Sequence, residues 1–304
     1  MDTADVTRVL EKKPGSAAIE ITTRCPLDCS YCKRSRLALP IGDAALEKLT
    51  ELRKRLEGFK RIQFCGFGEP FSHRHIYRVL SLFRQHLVIM TTCGSLPIDM
   101  KKLQESIKTV IFGFSLDAPD QEGMRLVSRN YNWANLIANL EALAESHAYQ
   151  MMINMVIDEN NLTRLEEMAA FAKKMGVKAI SYSLPLTDDG GEPGFVTANQ
   201  ARIKSCLAAA VKKAQELGIM ALSPYGDLKC SMFGTIVPYI DIEGNLHTCC
   251  VTKGIGQRIG NLFDQDFDTM WASEAYQRFR GGENCKNCAL YSWALDHHSS
   301  KEAQ

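Results

Sequence analysis

The sequence predicts an α/β protein: an open barrel of about six β/α units, followed by a small domain of a β-hairpin, a helix and cysteines. Three observations carry this. Apolar, β-branched runs alternate with amphipathic segments from about residue 17 to residue 183. The alternation stops near residue 223, where hairpin signals take over. Cysteines gather at both ends, as Cys25, Cys29 and Cys32 and as Cys230, Cys249, Cys250, Cys285 and Cys288, with Cys65, Cys93 and Cys206 single between them.

The strand candidates are residues 17–22, 61–65, 87–92, 110–115, 151–157 and 178–183. Between them, Leu46, Leu49, Leu52 and Leu56 keep an apolar stripe, with Asp43 as the expected cap and Gly58 just past the end. Asn132 precedes Trp133, Leu136, Ile137, Leu140 and Leu143, which share one helical face. Thr163-Arg164-Leu165-Glu166 has the capping-box spacing, and Gly176 ends that helix. Thr197 is expected to open another, with Ile203, Leu207, Ala210, Val211, Ala214 and Leu217 inward. Strands alternating with helices imply a parallel sheet with right-handed crossovers. In such a barrel, function collects on loops at the carboxyl ends of the strands.

Residues 236–242 and 245–248, joined through Glu243-Gly244, read as a hairpin. A helix over 268–280 follows, carrying Met270, Trp271, Tyr276 and Phe279, then Cys285-Lys286-Asn287-Cys288. So small a unit needs a staple, and metal ligation is the obvious one. The expected division is 1–222 for the barrel and 223–304 for the appended domain.

Composition excludes several classes. With 304 residues, 45% hydrophobic and 23% charged, the chain has ample core for a globular fold. A net charge of +1 leaves no basic footprint for nucleic acid and no acidic tail. No apolar run approaches the ~20 residues that span a bilayer. The start, Met1-Asp2-Thr3-Ala4-Asp5, lacks a signal-peptide core, so the expected location is the cytosol. Eleven cysteines without a secretion signal point to metal ligands or reactive thiols rather than disulfides.

The first cysteine group lies in Thr22-Thr23-Arg24-Cys25-Pro26-Leu27-Asp28-Cys29-Ser30-Tyr31-Cys32, directly after the first strand. Three thiolates on one short loop can hold one face of an iron–sulfur cluster. The loop supplies no fourth thiolate, which leaves one iron open to a ligand. A zinc knuckle or a set of unrelated buried thiols is the plainer reading of the same residues.

The stretch resembles the C-x3-C-x-aromatic-C signature of radical S-adenosylmethionine (radical SAM) enzymes, with Tyr31 at the aromatic position. The resemblance implies a partial (β/α)6 TIM-like barrel and a 4Fe-4S cluster on Cys25, Cys29 and Cys32, whose open iron chelates the methionine of SAM. Reductive cleavage of SAM then yields a 5′-deoxyadenosyl radical. Gly66-Phe67-Gly68-Glu69-Pro70 resembles the family's Gly-Gly-Glu motif, interrupted by Phe67, with Glu69 implied to pair with the methionine ammonium. Ser115-Leu116-Asp117 resembles the segment that meets the ribose and carboxylate region. Met155-Val156-Ile157, with Asn160, occupies the place of the adenine-contacting strand.

Cys230, then Gly244 with four residues between it and Cys249, then Cys285-x-x-Cys288, resembles the start of the SPASM pattern, whose domains bind auxiliary iron–sulfur clusters. Residues 289–304 contain no further cysteine, which implies the shortened (twitch) form with one auxiliary 4Fe-4S cluster. A four-thiolate zinc site has compatible spacing. Five thiols for a four-ligand site leave one surplus, Cys249 or Cys250. The Gly-x4-Cys spacing makes Cys249 the ligand. Resemblance to aminoglycoside epimerases, of the kind that convert neomycin C to neomycin B, makes Cys249 the hydrogen-atom donor and Cys250 the ligand alongside Cys230, Cys285 and Cys288.

Three reaction classes are open: an epimerase inverting a sugar carbon, a twitch-type dehydrogenase oxidising an aminocyclitol or sugar hydroxyl, and a peptide-modifying SPASM maturase. The epimerase reading is the leading expectation. It implies a flavodoxin- or ferredoxin-type reductant and a polycationic substrate, whose ammonium groups want carboxylates at the barrel mouth. Asp117, Asp120, Glu122, Asp188, Asp189 and Glu192 lie in post-strand loops where they could serve.

Overall fold

The computed structural model describes residues 14–34, 39–185, 194–224, 237–248 and 258–280. Seven strands run parallel and in chain order: β1 (Ser16–Ile19), β2 (Arg61–Phe64), β3 (Leu87–Thr92), β4 (Val110–Ser115), β5 (Gln150–Val156), β6 (Ala179–Ser183) and β7 (Met220–Leu222). Helices return the chain between them: α1 (Leu46–Arg55), α2 (Ile76–Leu82), α3 (Met100–Ser106), α4 (Gln121–Val127), α5 (Trp133–Ser146), α6 (Leu165–Lys174) and α7 (Gly194–Glu216). Sequential parallel strands with crossovers of one hand put every helix on the same side of the sheet. The opposite, concave side is the inner face of the open barrel.

Side-chain period two separates those faces. Ile62, Phe64, Val88, Met90, Phe112, Phe114, Ile153, Met155, Ile180 and Tyr182 are fully buried. They join Leu49, Leu52, Val79, Leu103, Leu136, Leu140, Met168, Leu207 and Ala210 of the helices in one core cluster. The alternate residues, among them Gln63, Thr91, Ser115, Asn154, Ser181 and Ser183, are half-buried and face the concave side.

The expected six strands become seven. Only three residues form β7, directly after Gly218 in the left-handed region, and a run so short carries no readable period. The hairpin forms as expected, with β8 (Tyr239–Ile240) and β9 (Asn245–His247) antiparallel about Gly244, whose φ is +84°. A Cβ on Gly244 would lie 2.3 Å from the Phe263 ring, so no other residue fits there. A further strand, β10 (Arg258–Asn261), pairs with β9. The hairpin also continues the barrel sheet, because β8 runs parallel to β1 with Tyr239 opposite Ala18.

Several expected caps give way to tertiary contacts. Asp43 does not cap α1, whose N-cap is Ala45; it is drawn into the cysteine loop instead. Thr163 forms no capping box, since residues Leu162–Arg164 make a 3-10 turn and Arg164 pairs with Asp120 and Glu167. Asn132 caps α5 as expected, accepting from the Asn135 amide at 3.0 Å. Helix α7 begins at Gly194 and kinks at Asn199, whose side chain donates to the Phe195 carbonyl at 2.8 Å. The expected helix over 268–280 is two, α8 (Phe267–Trp271) and α9 (Glu274–Arg280). Asp266 caps the first, and the Ser273 hydroxyl accepts from the Tyr276 amide in the second.

Asp241 braces the hairpin. Its carboxylate accepts from the Glu243 and Asn245 amides and the Asn245 side chain, each at 3.0 Å, and from the His247 ring at 2.9 Å. Burial works to raise its pKa, but the His247 and Asn245 hydrogen bonds win and hold it at about 2. Replacing Asp241 with Ala leaves these donors unpaired, at about 2 kcal/mol. The expected result is faster amide hydrogen exchange confined to β8 and β9, read by mass spectrometry.

Candidate active site

The cysteine loop is held by a strap, residues 40–44. Thr22 and Asp43 form an isolated antiparallel bridge. The Thr22 hydroxyl donates to Asp43 at 2.7 Å, the Thr23 hydroxyl donates to the Pro40 carbonyl at 2.6 Å, and the Thr23 amide donates to the Gly42 carbonyl at 2.9 Å. Arg24 and Arg74 each stand 3.3 Å from Asp43. Burial alone would raise the Asp43 pKa; the Thr22 hydrogen bond and the neighbouring basic groups lower it instead. The other side of the loop is clamped by the segment after α4. The Ser30 amide donates to the Val127 carbonyl at 2.9 Å, and the Ser128 hydroxyl donates to Asp28 at 2.7 Å.

The loop after β2 lies directly against this one. A Cβ on Gly68 would sit 2.0 Å from the Thr22 carbonyl oxygen, which is backbone and cannot yield. The Glu69 amide donates to the Arg24 carbonyl at 2.7 Å. Glu69 is buried, and its carboxylate accepts from the Thr92 hydroxyl at 2.7 Å, the Cys93 amide at 2.6 Å and the Phe71 amide at 3.1 Å. Burial raises its pKa against the pull of those bonds. Two of the carboxylate's roughly four acceptor positions therefore join the β2 and β3 loops, and a third is taken by Phe71 of its own loop.

Cys25, Cys29 and Cys32 are free thiols, each half-buried. Burial raises the pKa of Cys25, and the Cys29 thiol is pushed up to about 12 by burial and by the charges of Cys25 and Cys32. Their thiolates are thus close enough to repel, and a cationic centre between them removes that cost. Among the described residues, no three metal-ligating side chains are gathered tightly enough for a single ion. Three thiols gathered on one short loop fit an iron–sulfur cluster, whose usual ligands are cysteine thiolates.

Tyr31 and Asp117 join the cysteine loop to the far strands. The Tyr31 ring is 44% exposed at the rim, while its hydroxyl turns inward and donates to Asp117. Asp117 also accepts from the Val156 amide at 2.8 Å. Burial dominates those bonds and raises its pKa to about 6. Asn161, which sequence reasoning missed, completes the joint: its side chain donates to the Asp117 and Val156 carbonyls at 3.1 and 2.8 Å. The signal was the Asp158-x-x-Asn161 turn, in which the Asp158 amide donates back to Asn161 at 2.9 Å.

The remaining expected residues divide. Ser115 is half-buried on the concave face. Ile157 is fully buried, and its amide donates to the Ser183 carbonyl at 2.8 Å. Asn160 is an exposed turn residue whose amide bonds Asp158 at 2.9 Å. Among the acidic residues, Asp120 caps α4 and pairs with Arg164, Asp117 is buried, and Glu122 is exposed in the first turn of α4. Asp188, Asp189 and Glu192, and Cys230, Cys249, Cys250, Cys285 and Cys288, lie outside the described residues.

Two outcomes follow from this geometry. Gly68→Ala forces the cysteine loop off the β2 loop, and the reconstituted variant is expected to hold less iron than wild type by iron and sulfide assay. Because the raised Asp117 pKa adds stability below about pH 4 that is lost as pH rises through 6, wild type should lose about 1 kcal/mol relative to Asp117→Asn between pH 5 and pH 7.5. Urea denaturation at the two pH values measures it.

Residues 19–172 match the radical SAM superfamily, and residues 230–289 match the SPASM iron–sulfur cluster-binding domain. The chain is 26% identical over 186 residues to the PqqA peptide cyclase of Gluconobacter oxydans, a match covering 57% of this chain and half of that protein. It is 24% identical over 311 residues to the tungsten-containing aldehyde ferredoxin oxidoreductase cofactor-modifying protein of Pyrococcus furiosus, covering 90% and 86% of the two. In fold it resembles Streptococcus suis SuiB bound to its precursor peptide SuiA, with a TM-score of 0.72 and 17% identity over 91% of this chain and 70% of that one. Among the described residues, no helix is long and apolar enough to cross a membrane. The cysteine loop, the glycine-rich loop pressed against it and the matched residues together make this chain a member of the radical SAM superfamily, with a SAM-binding barrel, an auxiliary iron–sulfur domain and a cofactor set of SAM and two 4Fe-4S clusters.

Proposed function

We propose that this enzyme modifies a peptide, removing a hydrogen atom from a carbon held against the concave face of the barrel. The chemistry of that face carries the reading. Ser115, Asn154 and Ser181 stand side by side in register on β4, β5 and β6, with Thr91 beside Gly113 one row deeper. Among the described residues, the side chains of Gln63, Thr91, Asn154 and Ser181 make no hydrogen bond within the protein. Their amides and hydroxyls are left to pair with water or with the donors and acceptors of a bound ligand. Gly113 leaves the room that the Asn154 amide occupies, since a Cβ there would lie 2.6 Å from Nδ2.

Among the described residues of β1 to β6 the charged side chains near this face are already engaged. Glu20 is bonded to the Phe67 amide, and Arg61, at the opposite end of the barrel, donates to Ser16 at 2.8 Å. Neutral donors and acceptors suit backbone amides better than ammonium groups. Similar proteins lean the same way, one being a peptide cyclase.

When bound, SAM and the first cluster supply the 5′-deoxyadenosyl radical. Cys25, Cys29 and Cys32 hold that cluster, the loop from Gly66 to Glu69 shapes the methionine site, and Ser115 and the Val156–Ile157 backbone border the nucleoside. The twitch ligands are Cys230, Cys250, Cys285 and Cys288, and a flavodoxin- or ferredoxin-type protein delivers electrons.

The surplus thiol favours a second reading, epimerisation of an aminoglycoside carbon of the neomycin C type. There Cys249, or Cys250 if the two exchange roles, returns a hydrogen atom to the opposite face of the carbon radical. The S–H bond is weaker than the C–H bond formed, and the sulfur radical left behind takes one electron and one proton to recover. Asp117 and Asp120 give this reading little support, because their carboxylates are committed within the protein.

Anaerobic incubation with SAM and a reductant in heavy water separates the two, using a library of synthetic peptides in one arm and neomycin C in the other. Peptide modification predicts a peptide product with net loss of hydrogen and no deuterium on carbon. Epimerisation predicts an isomeric neomycin with one carbon-bound deuterium, abolished in Cys249→Ala while both clusters remain. The second pattern without the first overturns the peptide reading.

A further inference from the structure

We infer that Glu20 is a positioning residue that ties the SAM-binding loop after β2 to the hairpin of the auxiliary half. Glu20 follows β1 by one residue and is 1% exposed. A buried carboxylate is costly unless donors converge on it, and here they come from two separate parts of the chain. From one side, the Phe67 amide donates to Oε1 at 2.7 Å. From the other, the hydroxyl of the fully buried Tyr239, on β8, hydrogen-bonds the same carboxylate.

The surroundings are built to fit this carboxylate. A Cβ on Gly66 would lie 2.6 Å from Glu20 Oε1, 2.7 Å from Cγ and 2.9 Å from Cδ. Glycine at 66 is therefore what lets the Glu20 side chain pass beneath the loop. Phe67, which interrupts the paired glycines of the motif, is the residue whose amide Glu20 captures. Tyr239 is placed by backbone pairing, since the Ala18 amide donates to the Pro238 carbonyl and the Glu20 amide to the Ile240 carbonyl, both at 2.8 Å. Displacing β8 thus moves Tyr239, then Glu20, then the loop that carries Gly68 and Glu69. Glu20 touches no reacting atom on this account; it sets how well the loop receives SAM.

The test uses the full, reconstituted chain and SAM as the probe. Binding is read from the SAM-dependent change in the electron paramagnetic resonance spectrum of the reduced first cluster. Turnover is read from uncoupled formation of 5′-deoxyadenosine. Glu20→Ala should raise the KM for SAM about tenfold while kcat and iron content stay near wild type. Glu20→Gln keeps an oxygen for the Phe67 amide and should recover most of the affinity. Tyr239→Phe should raise the KM about threefold, the part contributed from the hairpin. An unchanged KM in Glu20→Ala, or a Glu20→Gln no better than Ala, overturns the positioning role. If Glu20→Ala loses its iron, Tyr239→Phe decides: a KM equal to wild type overturns the link.

Discussion

The contact between the Gly68 backbone and the Thr22 carbonyl is the constraint on which the rest of the site depends. Two loops from adjacent strands can share one small volume only if one of them lacks a side chain there. Once they are that close, the Glu69 amide reaches the Arg24 carbonyl and the Glu69 carboxylate reaches the β3 loop. Three strand ends become one rigid rim. The cysteine loop is thus positioned by backbone contacts from two neighbouring segments.

Electrostatics reinforces the same frame. Asp117, Glu69 and Glu20 are three carboxylates buried at or beside the rim. Each is held by donors from another element: Tyr31 and Val156 for Asp117, Thr92 and Cys93 for Glu69, Phe67 and Tyr239 for Glu20. Buried acids used this way act as joints between loops, and Asp117, expected to face substrate, is one of them. Among the described residues, Ser115, Asn154 and Ser181 give the concave face beside them neutral polar side chains.

Parts of this were legible from residues alone because the signal was local. Period-two burial, clearest in β3 and β5, follows from strand runs of six and seven residues. The Asn132 cap and the Gly244 turn follow from single residues with one favoured role. The cysteine spacing announces its ligand chemistry without reference to the fold. Other features gave no local sign. Asp43 has the chemistry and position of a helix cap, yet Thr22 and two arginines compete for it across the chain. Thr163 loses its capping role because Arg164 is drawn to Asp120, which lies 44 residues earlier.

Composition and order along the chain determined the class of protein by themselves: parallel β/α units, a thiolate loop after the first strand, and a second set of cysteines beyond a hairpin. Only the tertiary structure decided what the individual polar residues do. Whether a carboxylate caps a helix, faces a ligand or bridges two loops depends on which donors arrive from distant strands. Asn161 and Glu20 hold the site together, while Asn160, one residue away from the first, points to solvent. Neighbours in sequence share composition but not surroundings, and at a buried site the surroundings set the role.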